Sequence, residues 1–156
     1  MAAFEVEPLL GYTGNETDCH TFEMEAPNVQ EKTTIIHSNQ DWGVHVEWYM
    51  QGPLALFLDE EFRVTVFLED LSPKDKDGQL GPVKVGTLTG ALNIVTQTRS
   101  YKLDIPVKAG QYGPSVYKPT LLIQLFDSVT NAPWPVAAFA EMPPINIYSV
   151  PPITPP

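Results

Sequence analysis

Three histidines are the side chains of this sequence best suited to metal binding or acid–base chemistry, because imidazole titrates near neutral pH and ligates metals readily. They are His20, His37 and His45, and their spacing fits no common metal-binding motif. His45 alternates with Val44 and Val46 in a run typical of a strand, so its side chain is expected at the surface or rim. We therefore predict no metal site.

The single cysteine, Cys19, is a candidate nucleophile that lies between Asp18 and His20. Successive residues of a strand point to opposite faces, so these three would not converge on one side. The sequence also lacks a G-x-S-x-G elbow, an H-E-x-x-H motif, a P-loop and a G-x-G-x-x-G motif. One cysteine excludes an intramolecular disulfide and a zinc site of clustered cysteines. We predict no catalytic residue, no enzymatic activity and no cofactor.

The acidic loop around residues 69–78 contains carboxylates of the kind that bind calcium. It lacks the third aspartate and the closing glutamate of an EF-hand, and its lysines, Lys74 and Lys76, oppose a cation. We interpret the loop as a solvated turn.

Four aromatic residues near predicted loops form a candidate binding surface, since flat rings supply contact area at little entropic cost. They are Trp42, Tyr112, Tyr117 and Trp134. They could stack on a sugar or bind a protein, and the alternative is ordinary packing in the core or at its rim.

Composition limits the possible partners. The chain has 156 residues, of which 43% are hydrophobic, and carries a net charge of −10 with only 9 basic residues. Such a length fits one domain, and the charge would repel a phosphate backbone, so we predict no nucleic-acid binding. No run of 18 apolar residues or secretion signal is visible, which predicts no membrane span and a cytoplasmic protein.

Hydrophobic alternation predicts an all-β fold. Residues 43–50 and 61–71 show the clearest period of two, while residues 120–126 are almost wholly apolar and are typical of a central strand. The 16 prolines and 10 glycines break the chain at short intervals. We predict nine or ten short strands in an antiparallel β-sandwich of immunoglobulin-like or jelly-roll type.

The two ends differ from the middle. Residues 1–18 are predicted to form an N-terminal arm or edge strand, residues 19–148 the sandwich, and residues 149–156 a proline-rich tail. The arm carries four apolar candidates for partner contact: Phe4, Val6, Leu9 and Leu10.

Together these features favour a non-catalytic protein-interaction or structural module, a subunit of a larger assembly or of a homo-oligomer. The alternative is a small-ligand binder, with carbohydrate as the ligand and the aromatic residues as the stacking surface.

Overall fold

The chain forms two β-sheets packed face to face. The computed structural model describes residues 2–6, 13–26 and 29–149. Within these ranges there are twelve strands, two short 3₁₀ turns and no α-helix. The predicted all-β sandwich is confirmed.

The first sheet has five antiparallel strands, in the spatial order β3 (Val29–Lys32), β2 (Thr13–Ala26), β5 (Trp42–Gln51), β9 (Thr98–Val107) and β8 (Ala91–Asn93). β5 is the central strand of this sheet. Its apolar residues alternate, so one face of the strand is buried and the other faces outward; the buried residues include Val44, Val46, Trp48 and Met50.

The second sheet has seven strands: β1 (Glu5–Val6), β4 (Ile35–His37), β6 (Glu61–Asp70), β7 (Gly78–Gly86), β10 (Ser115–Phe126), β11 (Pro133–Glu141) and β12 (Ile145–Tyr148). β10 is central, as its apolar run predicts. One edge of β10 pairs along its length with β6, and the other pairs first with β12 and then with β11. Pro119 lies between the stretches that pair with β12 and with β11. A proline has no N–H to donate, and at this position no inter-strand hydrogen bond is lost.

Three local predictions differ from the structure. The threonines and isoleucines of residues 32–37 predict one strand, but β3 ends at Lys32 in the first sheet and β4 begins at Ile35 in the second. β4 pairs in parallel with β12, an exception to the predicted antiparallel order. The prolines, glycines and aspartates of residues 72–82 predict a loop, but β7 starts at Gly78 and pairs with β6. Backbone pairing with a strong neighbour here outweighs poor intrinsic strand propensity.

Aromatic rings join the two sheets in the core. Trp48 stacks on Tyr101 within the first sheet, with ring centroids 5.2 Å apart and planes 15° apart. Phe62 of the second sheet meets both rings edge-on, at 5.5 Å and 4.9 Å. Truncating such a ring typically costs about 3–5 kcal/mol, so this cluster is a main source of stability.

The described part of the predicted arm packs on the molecule itself. Phe4 is buried against Phe62, and β1 pairs with β11, with Val6 opposite Val136. Phe4 is thus a core residue in this structure. Leu9 and Leu10 lie outside the described residues, as does the tail from Val150 onward.

Candidate functional site

The four predicted aromatic residues occupy two separate places. Trp42 and Tyr117 are buried and both contact the half-buried Tyr112, with ring centroids 6.5 Å and 6.1 Å from it. Trp134 lies near the other end of β10, beside Phe126, whose partner is the preceding residue of β11. Nine residues of strand separate the two places, roughly 30 Å. The four rings therefore do not form one surface.

Tyr112 borders a cleft of about 340 Å³ whose lining includes Gln111, Lys76 and Asp77. The ring packs on Gly78: a Cβ there would lie 2.2 Å from a ring carbon. Its hydroxyl donates to the carbonyl of Gln79 at 3.2 Å. Much of the ring is therefore engaged by the protein's own backbone.

Asp70, also in this cleft, organises the loop that follows β6. Its carboxylate accepts hydrogen bonds from the Ser115 hydroxyl and from the backbone N–H groups of Ser72 and Lys76. These bonds, that of Ser115 foremost, hold the pKa of Asp70 below its usual range. The carboxylate is thus committed to holding the loop.

A second surface, which we call the apolar end, consists of exposed side chains at one end of the sandwich. Five of the twelve exposed large hydrophobic residues found in the described ranges belong to it: Phe57, Leu88, Leu92, Ile94 and Val95. The exposed fraction of Phe57 is 78%, and that of Val95 is 93%. Soluble proteins usually keep such groups apart, so their gathering needs an explanation.

The backbone beneath the apolar end is held by the buried Arg99. Its guanidinium donates to the carbonyl oxygens of Leu56 at 3.1 Å, Leu88 at 2.9 Å and Gly90 at 3.4 Å. Two segments that are distant in sequence, at Leu56 and at residues 88–90, thus converge on one side chain.

Thr87 adds a second connection under the same surface. Its hydroxyl donates to the Leu58 carbonyl and accepts from the backbone N–H of Glu60 at 2.8 Å. Its own carbonyl accepts from the buried Tyr101 hydroxyl at 2.6 Å. The backbone at Leu88 and next to Phe57 is therefore held by several hydrogen bonds, whereas Ile94 and Val95 lie in the turn after β8.

Acidic residues border the apolar end. Asp59 is exposed, and Glu60 and Glu61 follow it. The nearby base Arg63 is already engaged, with Nε donating to Glu61 at 2.8 Å and Nη2 to Asn131 at 2.6 Å. Lys84 Nζ also lies 3.8 Å from Glu61 Oε2, so three carboxylates stand against two bases and the border keeps a small excess of negative charge.

A third feature lies on the solvent face of the first sheet, where strand register brings histidines and carboxylates together. This histidine–carboxylate cluster consists of Asp18, His20, His45, Glu47 and Asp104. His45 lies opposite His20 on β2 and opposite Asp104 on β9, while Asp18 lies opposite Glu47. Asp18, His45 and Glu47 each offer a ligand atom, and the three atoms lie within 4.8 Å of one another.

His45 is held by two carboxylates. Nδ1 lies 2.5 Å from Asp104 Oδ1, and Nε2 lies 3.4 Å from Glu47 Oε2. Burial alone would lower the pKa of His45, but the hydrogen bonds to Asp104 and Glu47 outweigh it and raise the pKa. Burial conversely raises the pKa of Asp104, but hydrogen bonds from His45 and Gln30 outweigh it and lower that pKa.

His37 lies apart from this cluster. Its backbone N–H and its Nδ1 contact the buried carboxylate of Glu23, at 2.7 Å and 2.9 Å, and Nε2 bonds to the Tyr148 hydroxyl. These contacts tie β2 of the first sheet to β4 and β12 of the second. His37 is thus a structural bridge between the sheets.

Cys19 does not have the environment of a reactive thiol. Burial, together with the negative charge of Glu16 and a hydrogen bond to it, raises the pKa of Cys19 to about 12. A thiol with such a pKa contains almost no nucleophilic thiolate at neutral pH.

Sequence analysis missed both the apolar end and the grouping around His45. Residues 91–96 are typical of one strand, but β8 ends at Asn93 and places Ile94 and Val95 in an exposed turn. His45 and Glu47 stand two apart in a strand, a spacing that puts both on one face. Their neighbour Asp18 could be found only with the register of β2 against β5.

Comparison with known proteins gives no relative: no family model, no curated protein and no solved structure matches the chain. Among the described residues, no helix is long and apolar enough to cross a membrane.

Proposed function

We propose that the chain is a non-catalytic protein-interaction module that binds its partner through the apolar end. The observation that carries this proposal is the group of exposed apolar side chains, of which Leu88 and Phe57 lie on or next to backbone held by Arg99 and Thr87. A preformed surface loses little conformational entropy on binding, which favours affinity.

Burial of the apolar end supplies the main favourable term for binding. Burying one large apolar side chain contributes about 1.5–3 kcal/mol, so five give a gross gain of roughly 7.5–15 kcal/mol. The cost of association, roughly 4–15 kcal/mol, is subtracted from this gain. Phe57 and Val95 are expected to lose the largest fraction of their exposed surface on binding, because they are the most exposed residues of the apolar end.

Charge indicates the chemistry of the partner. Each copy of this chain carries a net charge of −10, and Asp59 and Glu60 lie beside the apolar end, so two copies would repel each other there. The fitting partner is a different protein with an apolar surface bordered by lysine or arginine.

Peptide selection tests this without knowledge of the partner. A phage library of random peptides is selected on the wild-type protein, and the enriched peptides are synthesised and titrated by calorimetry. We expect peptides that combine apolar residues with lysine or arginine, and binding at least about tenfold weaker to Phe57→Ser.

Phe139→Ser is the matched control, because Phe139 is also an exposed phenylalanine but lies on the outer face of the second sheet. It should bind the peptides as the wild type does. Peptides that bind Phe57→Ser equally well would overturn the proposal. A wild-type dimer in sedimentation equilibrium that Phe57→Ser abolishes would overturn the basic partner in favour of a second copy.

The carbohydrate alternative has one supporting observation, the cleft beside Tyr112 with polar groups from Gln111, Lys76 and Asp77. A glycan array tests it, with Tyr112→Ala expected to lose any binding and the remote Trp134→Ala expected to keep it. Absence of wild-type binding to every glycan would remove this alternative.

A further inference from the structure

We propose that the outer face of the first sheet holds a divalent transition-metal site, with His45, Glu47 and Asp18 as ligands and zinc as its preferred ion. One ligand atom from each residue lies within 4.8 Å of the other two. This site is independent of the apolar end, and neither proposal depends on the other.

Strand geometry explains why these ligands meet. His45 and Glu47 are two residues apart on β5, so both face outward. Asp18 reaches the same face from β2, where it lies directly opposite Glu47. Both strands are long, and a β-bulge between Glu16 and Asp18 brings Asp18 into register with Glu47.

The orientation of His45 is that of a metal ligand. Nδ1 lies 2.5 Å from a carboxylate oxygen of Asp104, and since a carboxylate only accepts, Nδ1 carries the proton. Nε2 faces the Glu47 carboxylate, and there the ion binds in place of the proton that Nε2 shares with Glu47. A ligating histidine commonly has its other nitrogen bound to a carboxylate in this way. Asp104 is therefore the positioning residue of the site.

The distances fit a small ion. Zinc binds nitrogen and oxygen at about 2.0–2.2 Å, so two ligand atoms of a tetrahedral ion lie about 3.3 Å apart. His45 Nε2 and Glu47 Oε2 are already 3.4 Å apart. Asp18, whose Oδ1 lies 3.1 Å from His20 Nδ1, is the third ligand, with a ligand atom within 4.8 Å of the other two.

The ligand types select the ion. An imidazole nitrogen favours zinc and its first-row neighbours, whereas calcium and magnesium prefer oxygen alone. Three protein ligands leave a fourth position to water. Lys102 is the cation that competes with the metal for Glu47. Its Nζ lies 3.3 Å from Glu47 Oε1, and its side chain is 75% exposed and free to turn away.

Calorimetric titration with zinc chloride tests the site, with metal-stripped protein at one fixed pH. We expect one zinc per chain, with affinity at least about tenfold lower in Glu47→Gln and His45→Gln. Asp104→Ala should weaken binding by about 10- to 100-fold, the range typical of a lost outer-shell partner. Lys102→Ala should tighten it, since a competing positive charge is removed.

Glu69→Gln is the matched control, a carboxylate that lies opposite Lys118 in the second sheet and outside the cluster; its affinity should equal that of the wild type. Thermal unfolding of each metal-free variant shows whether it remains folded. Zinc should also raise the melting temperature of the wild type but not of His45→Gln.

Three results would overturn the site. The first is absence of zinc binding at about 1 mM ion. The second is binding that survives both His45→Gln and Glu47→Gln, which would place the ion elsewhere. The third is displacement of zinc by equimolar calcium, which would indicate a site of oxygen ligands only.

Discussion

Arg99 Nη1 donates a hydrogen bond of 2.9 Å to the carbonyl oxygen of Leu88, an exposed residue of the apolar end. The arginine is itself buried, with 7% of its surface exposed, and its guanidinium also bonds to the Leu56 carbonyl. A buried cation is thus solvated by backbone carbonyls, and the same bonds fix the exposed surface above it.

Arg99→Met should loosen the apolar end. Loss of hydrogen bonds from a charged donor is expected to lower the free energy of unfolding by about 2–3 kcal/mol. Hydrogen exchange of residues 54–58 and 87–91 should become about tenfold faster, because the backbone there loses its common anchor. Arg63→Met is the control and should leave exchange in both segments unchanged; equal effects of the two variants would contradict the anchoring role.

Tyr101→Phe should destabilise the protein modestly. The ring and its stacking on Trp48 remain, but the buried hydrogen bond to the Thr87 carbonyl is lost. We expect a loss of about 1–2 kcal/mol in urea unfolding, with an unchanged slope. A loss above the roughly 3–5 kcal/mol typical of removing a whole ring would mean that packing was disturbed instead.

Gly43→Ala should be more damaging. A Cβ at Gly43 would lie 2.5 Å from the carbonyl oxygen of Ile105 and 2.6 Å from the Phe22 ring. Because the backbone atom cannot move aside cheaply, we expect a loss of about 1–3 kcal/mol. Gly113→Ala, where a Cβ would meet nothing within 4 Å, should leave the urea midpoint nearly unchanged. A midpoint for Gly43→Ala equal to that of Gly113→Ala would refute this close approach.

Asp70 should make stability depend on pH in the acid range. Its pKa is lowered in the folded state relative to about 3.9 when unfolded, so its contribution is present above the unfolded value. That contribution declines as pH falls below about 4 and vanishes below the folded pKa. Asp70→Asn should therefore be less stable than wild type at pH near 6, with the difference shrinking toward low pH.

Urea midpoints of wild type and Asp70→Asn, measured at successive pH values, check this sign. Asp75→Asn in the same loop is the control for removing one negative charge without the hydrogen bonds that Asp70 accepts. The groups sharing the cleft with Asp70 include Asp77, Lys74 and Lys76. A difference for Asp70→Asn that grows on acidification would contradict the assignment.

Strands with a buried alternating face were predictable from the sequence because their pattern is local. The expectation for residues 43–50 matches β5 (Trp42–Gln51), and that for residues 61–71 matches β6 (Glu61–Asp70). For β10 the expected run of 120–126 captured only the apolar half. The strand begins at Ser115 because β12 pairs with its first residues, a contact that no local pattern contains.

The candidate sites were less predictable because each depends on residues distant in sequence. His45 and Glu47 were placed on one face, but Asp104 lies 59 residues from His45 and joins it only through the register of β9. Similarly, the backbones at Leu56 and Leu88 converge on Arg99, a relationship that no local sequence pattern contains.

The parallel pairing of β4 with β12 has a consequence for how the molecule is made. His37 and Tyr148, which bond across this pair, are 111 residues apart in sequence. During synthesis, β4 has no strand to pair with in its sheet until β12 has left the ribosome. The chain between the two strands must close into a loop before they can pair. The second sheet is therefore completed late in synthesis. In a nascent chain that ends before β12, β4 would be unpaired and Ile36 would be accessible to chaperones and proteases.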